Sequence, residues 1–197
     1  TFSGLPEGGT TTAAGNGTLL TASYIGGSGN DFTLTAPIND APVVGNLNGD
    51  SVGVIEGGSP ALLDSGSNAT VTDSDSTYFD GGNVTVAIVA NRASGEDILA
   101  IVNQGSGAGQ IGVSGSNVTF GGVLIGTFTG GTGSNDLVIS LNANATSAAV
   151  QALVRNITYS NSNTTDPSTA TRTVRVTVND GDGATSSNAD IAVSVTG

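Results

Sequence analysis

The 197-residue chain contains no cysteine, histidine, methionine, tryptophan or lysine. Each absence removes a class of chemistry. Without cysteine there is no disulfide and no thiolate metal site. Without histidine, a serine nucleophile lacks its usual base. Four arginines, Arg92, Arg155, Arg172 and Arg175, stand against 16 acidic residues. A net charge of −12 leaves nothing to neutralise phosphates, which argues against nucleic acid. It argues equally against anionic membranes. No apolar run reaches the length of a membrane-spanning helix, so no membrane insertion is expected. Aromatics make up only 4% of the chain, too few to build a platform for stacking sugars. Asp97, Asp136 and Asp166 read as ordinary loop carboxylates, not as a hydrolytic pair. An enzyme is not expected.

What remains is abundant glycine (31 residues, about twice the usual share) with many Thr, Ser, Asn and Val. Turn chemistry plus β-branched residues reads as all-β. The core must come from Val, Ile, Leu and Ala. The length fits one large or two small domains. Regular apolar alternation through most of the chain argues against disorder. The chain starts at "TFSGLPEGG" without Met, and reads as an excised segment or a processed mature chain.

Residues 1–36 form a first unit. Two alternating runs, Thr18–Gly27 and Asp31–Ala36, flank "GGSGN" and predict a β-hairpin, which is marginal alone in water. "GGSGNDFTL" partly matches a calcium nonapeptide, but a single copy reads better as a hairpin turn. Residues 37–44 form a joint, where Pro37 and Pro42 hold the chain extended around Asn39-Asp40. Residues 45–197 carry short strands with turn signals at roughly 8–12-residue spacing, the pattern of a β-sandwich. One segment departs from it. Val150, Leu153 and Val154 fall at helical spacing behind Thr146 or Asn144 as N-cap, predicting one short helix at about 146–155. Its narrow apolar stripe should cover an open end of the sandwich.

Acidic residues recur at four places: Asn39-Asp40 at the joint, Glu56 in "VIEGG", Asp73 and Asp75 in "TDSDS", and Asp180 and Asp182 in "VNDGDGA". Hard cations such as calcium take 6–8 oxygens, and D-x-D spacing lets two carboxylates share one ion. Gly181 and Gly183 would let backbone carbonyls turn inward as well. Asp is equally a turn residue, and "NDGDG" alone also fits a plain hairpin turn. Taken together, the four places favour Ca2+ as the ligand. Arg172 and Arg175 are read as partners of strand-edge carboxylates. Seven Asn-x-Ser/Thr triplets are attributed to composition.

"INDAPVV" resembles the inter-domain linker of cadherins and bacterial cadherin-like repeats. "TDSDSTYFDGG" with "AAVQALVRNITY" is similar to a tandem repeat unit of giant bacterial surface adhesins, over about residues 39–197. The resemblance implies an Ig/cadherin-like Greek-key β-sandwich preceded by a β-hairpin from an adjoining repeat. It implies an extracellular, non-catalytic, calcium-stiffened extender for cell adhesion or biofilm. By motif position, Asn39, Asp40, Glu56, Asp73, Asp75, Asp180 and Asp182 would be the metal ligands. The linker lacks the full "DxNDNAP" form, and the "LDRE" motif is absent. Neighbouring repeats or copies of the chain are the expected partners, with a surface receptor or glycan as a further one. A second reading is a subunit of a filament, sheath or surface layer, assembled by β-strand addition through the N-terminal segment.

Overall fold

The computed structural model describes residues 6–12, 19–26, 31–35 and 38–197. Residues 27–30, which carry much of the partial nonapeptide, lie outside the described residues, as does Pro37. The chain divides between Asn39 and Asp40 into two compact units.

The first unit is an antiparallel sheet of β1 (Thr10–Thr12), β2 (Leu19–Gly26) and β3 (Asp31–Thr35), in that order. The hairpin predicted from alternation is β2–β3. The third strand, three consecutive threonines paired to Leu19–Thr21, has no apolar alternation to announce it. Ala22 is buried, whereas Phe32 and Leu34 remain 37% and 43% exposed.

The second unit, Asp40–Gly197, is all-β with one short helix. In chain order its elements are β4 (Val43–Gly45), β5 (Ser51–Ile55), β6 (Ala61–Leu62), β7 (Thr70–Thr72), β8 (Asn83–Ala90), β9 (Asp97–Ile101) and β10 (Ile111–Ser114). Then come β11 (Asn117–Phe120), β12 (Val123–Thr129), β13 (Leu137–Leu141), α1 (Ser147–Arg155), β14 (Ile157–Asn161), β15 (Arg172–Asn179) and β16 (Ala189–Thr196). Eight strands form one sheet in the order β10-β11-β12-β13-β8-β15-β16-β5. A second sheet is β6-β14-β9, and a third pairs β4 with β7. Val43 and Val44, in the proline-flanked joint, therefore belong to a strand pair.

Period-two alternation sets the large sheet. β8 buries Val84, Val86 and Ile88, β15 buries Val174, Val176 and Val178, and β16 buries Ile191, Val193 and Val195. These form one cluster with Leu99, Ile157 and Tyr159 of the small sheet and with Ala149, Val150, Leu153 and Val154 of α1. Each such aliphatic side chain contributes about 1.5–3 kcal/mol on full burial. The helix begins where capping chemistry predicts: the Thr146 hydroxyl accepts from the Ala149 amide at 3.2 Å. It packs beside β7. Gln151 Oε1 accepts from the Val71 amide, and Arg155 Nε donates to the Ala69 carbonyl.

One pairing breaks the antiparallel pattern. β5, one of the two outer strands of the large sheet, runs parallel to the last strand β16, with Ser51 beside Ala192 and Ile55 beside Thr196. The chain therefore enters and leaves the unit at opposite ends. At the entry end the Asp40 amide donates to Asp75, and the turn at 80–82 crosses the turn at 180–182. At the exit end Gly197 lies beside Glu56 and Pro167. Between the ends runs β15, eight residues long, or about 26 Å at 3.3 Å per residue.

Candidate functional site

The acidic residues singled out in the sequence separate into three places. The first is a hydrogen-bonded group at the entry end. Asp75 Oδ2 accepts from the Asp40 amide at 3.0 Å, and Asp40 Oδ2 accepts from the Ser74 hydroxyl at 2.7 Å. Asp73 Oδ1 accepts from the Asp75 and Ser76 amides at 3.1 and 3.0 Å. Asp73 Oδ2 is buried and has no hydrogen-bond partner. Loss of solvent raises the Asp73 carboxyl above the ordinary aspartate value, and the neighbouring Asp75 adds to the rise. Asp75 moves the other way, because the Asp40 amide stabilises its charge. Asn39 closes the first unit as a half-buried residue.

The second place is the turn after β15. Asp180 is fully buried, and its Oδ1 accepts from the Asp182, Gly183 and Ala184 amides at 2.8, 2.9 and 3.1 Å. That carboxylate folds its own turn, and Asp182 points to solvent. Gly181 serves close packing. With φ of +92°, it passes the Asp80 carbonyl where a Cβ would sit 2.0 Å away. A Cβ on Gly82 would likewise meet the Asn179 carbonyl at 2.1 Å.

The third is Glu56, at the exit end. Its Oε2 is buried without a hydrogen-bond partner, and its amide donates to the Thr196 carbonyl. Parallel pairing thus places Glu56 at the end of the unit away from Asp40, Asp73 and Asp75. Among the described residues no three acidic side chains converge as a metal-holding group. The entry-end carboxylates therefore form no closed cage of oxygens of the kind calcium takes.

A buried polar network near the exit end carried no signal in the sequence. Asp97 is 3% exposed and Arg172 is 0% exposed. Asp97 Oδ1 accepts from Tyr159 Oη at 2.5 Å and from Arg172 Nε at 3.1 Å, while Oδ2 accepts from the Ala93 amide at 2.7 Å. Arg172 Nη1 donates to the carbonyls of Ser168 and Ala170. Its Nη2 stops 3.6 Å from Glu96, just beyond hydrogen-bond reach. Glu96 accepts from the Asn163 and Asn161 side chains and the Ser168 amide, which hold its carboxyl below the usual range. Burial pushes the Tyr159 hydroxyl well up, and the Asp97 carboxylate adds to it. The network ties the segment at 161–172 to Glu96 and Asp97 at the start of β9. As expected of an arginine paired with a strand carboxylate, Arg175 on β15 forms a two-point pair with Asp190 on β16 at 2.8 Å.

No family model matches the chain, and comparison with curated proteins and with solved structures finds no match.

Proposed function

We propose that the second unit is a non-catalytic structural repeat of an extracellular surface or secreted protein, acting as an extender. The observation that carries this reading is the parallel β5–β16 pair, which puts entry and exit at opposite ends of the unit, with the eight-residue β15, about 26 Å long, running between them. A unit threaded end to end adds its length when copies are joined in line, and a unit with both ends on one side does not. The cadherin-like resemblance of "INDAPVV" and "TDSDSTYFDGG" supports the same reading, with a Greek-key sandwich as the finer fold.

The proposal has a mechanical corollary. Tension between Asp40 and Gly197 slides β5 along β16 and loads several hydrogen bonds at once. Calcium enters the proposal at one place, the entry end, held by Asp40, Asp73 and Asp75 and completed by water. There it would relieve the repulsion between Asp73 and Asp75. Neither Glu56 nor Asp180 is part of that set.

Single-molecule stretching tests the reading, using cysteines introduced into this cysteine-free chain as attachment points. Pulling between residues 40 and 197 should need a higher force than pulling between residues 171 and 197. The second geometry peels the antiparallel β15–β16 pair one bond at a time. Equal forces would remove the support for a load-bearing extender.

A further inference from the structure

The large sheet has two outer strands, and they are finished differently. At the β10 edge the outward-facing donors are occupied by side chains. The Ile111 amide donates to Gln104 Oε1, and the Val113 amide donates to Asn103 Oδ1. The Ile111 carbonyl accepts from the Gln104 amide. That edge is closed to another strand.

The β5 edge has no such cover. The Ala192 amide donates to the Asp50 carbonyl, and the Glu56 amide donates to the Thr196 carbonyl. In a parallel pair this turns the even-numbered peptide groups of β5 towards β16 and the odd-numbered ones outward. The amides and carbonyls of Ser51 and Gly53 and the Ile55 amide therefore line the outer edge. Among the described residues none of these five groups has a hydrogen-bond partner. The Ile55 carbonyl accepts from the Gly58 amide and keeps one lone pair.

The side chains of the same strand make a knob and a hollow. Val52 and Val54 point into the core, so Ser51, Gly53 and Ile55 share the outer face of the sheet. Ile55 is 66% exposed on that face. Beside Ser51 and Gly53 lies a hollow of about 190 Å³, bounded by Ala192, Ser194 and Thr171. A Cβ on Gly53 would meet only Ser194 Oγ, at 3.7 Å, so packing within one copy does not require the glycine. Glycine inside a strand weakens it, and often marks a place where another chain approaches closely. β5 thus carries both halves of one contact. A two-fold axis at Gly53 exchanges knob and hollow, which points to a second copy as the partner.

We propose that β5 of one copy pairs antiparallel with β5 of a second copy about a two-fold axis at Gly53. Gly53 then stands opposite Gly53 of the second copy, and each Ser51 stands opposite the other copy's Ile55. This register pairs all the open groups of Ser51, Gly53 and Ile55, and the two eight-stranded sheets become one. Each Ile55 side chain falls beside the other copy's hollow. A slip of two residues leaves an outward group unpaired and carries Ile55 off the hollow. The contact is isologous, so it closes at two copies. A five-residue strand buries less than the roughly 1,000 Å² of a stable interface, so the contact is transient. The same register brings Asp50 opposite Glu56 of the second copy at both ends, and like charges so placed weaken it. Each copy also carries −12, so salt favours the pairing. The proposal does not rest on the extender reading.

The test uses the full chain, whose lack of cysteine makes an introduced thiol unambiguous. Ser51→Cys and Ile55→Cys proteins are mixed under mild oxidation, and the disulfide-linked dimers are sorted by mass. Opposed residues in this register lie about 5.5 Å apart between Cα atoms, within disulfide reach. Two copies of residue 51 are offset by four residues, roughly 13 Å along the strand, and are out of reach. The expected result is a mixed 51–55 dimer several-fold above either self-linked dimer, with a yield that rises with sodium chloride. Gly53→Pro removes an outward amide and keeps every bond to β16, as proline does on an edge strand. Added to both proteins, it should lower the mixed yield several-fold. Ile55→Ser, added to the Ser51→Cys protein, removes the remaining knob and should lower it too. A fall with either change supports the pairing. A mixed dimer no more than about twice each self-linked dimer, the ratio of chance collision, overturns the register. Retained yield with both changes overturns the contact.

Discussion

Arg172→Ala tests the buried network at its centre. The Arg172 side chain is 0% exposed and donates to Asp97 and to the Ser168 and Ala170 carbonyls. Its loss leaves the Asp97 carboxylate buried with only neutral donors, Tyr159 Oη and the Ala93 amide. Breaking a buried pair by removing one partner costs about 3–5 kcal/mol, because the remaining charge is uncompensated. For a domain of this size each kcal/mol moves Tm by roughly 2–4 °C, so a fall on the order of 10 °C is expected. Tyr159→Phe removes one hydrogen bond to the same carboxylate and should cost about 1.5–3 kcal/mol. An Asp97→Leu/Arg172→Met double variant removes both charges together and should lose much less than the Asp97→Leu and Arg172→Met losses summed. Thermal and urea unfolding of the parent and these five variants decide the matter. An Arg172→Ala loss below about 1 kcal/mol, or additive losses in the double variant, would refute the reasoning.

At the entry end the signs differ. The Asp73 carboxyl is raised by burial, so its ionisation opposes folding as pH rises above 3.8. Asp73→Asn keeps the Oδ1 acceptor and should raise Tm at pH 7, a gain that vanishes towards pH 3. A lower Tm at pH 7 would contradict this. Asp190 is held low by Arg175, so its stabilisation is present above pH 3.8 and is lost as pH falls through its lowered value. Arg175→Met should therefore flatten the acid limb of the Tm–pH curve. Calcium between about 0.1 and 1 mM should raise Tm by mass action, with a smaller shift in Asp40→Ala and an unchanged one in Glu56→Gln. No shift in the parent chain would remove calcium from the account. Asp180→Ala leaves three amides of its turn without their acceptor and should cost about 1–3 kcal/mol, with calcium sensitivity intact. Melting with and without calcium reads both effects.

Elements dictated by local chemistry were legible in the sequence. The period-two runs of β8, β15 and β16 and the Thr146 cap of α1 need no knowledge of the rest of the chain. Features set by long-range contact were not. Asp180 and Asp73 look alike in sequence, because a D-x-D or D-G-D pair suits an ion and a backbone-capping turn equally. Only the placement of the Asp182, Gly183 and Ala184 amides assigns Asp180 to its turn. Asp97 follows Gly95-Glu96 and reads as a surface loop. Its burial is made by Tyr159 and Arg172, 62 and 75 residues away. β1 and β4 are three residues long and take their conformation from their partners.

The central claim is that the second unit is threaded end to end. Solution scattering on two copies of the full chain joined in tandem, compared with one copy, measures it most directly. A maximum dimension that nearly doubles on joining is the expected result. A tandem hardly longer than the single copy, with the two units folded back side by side, would contradict it.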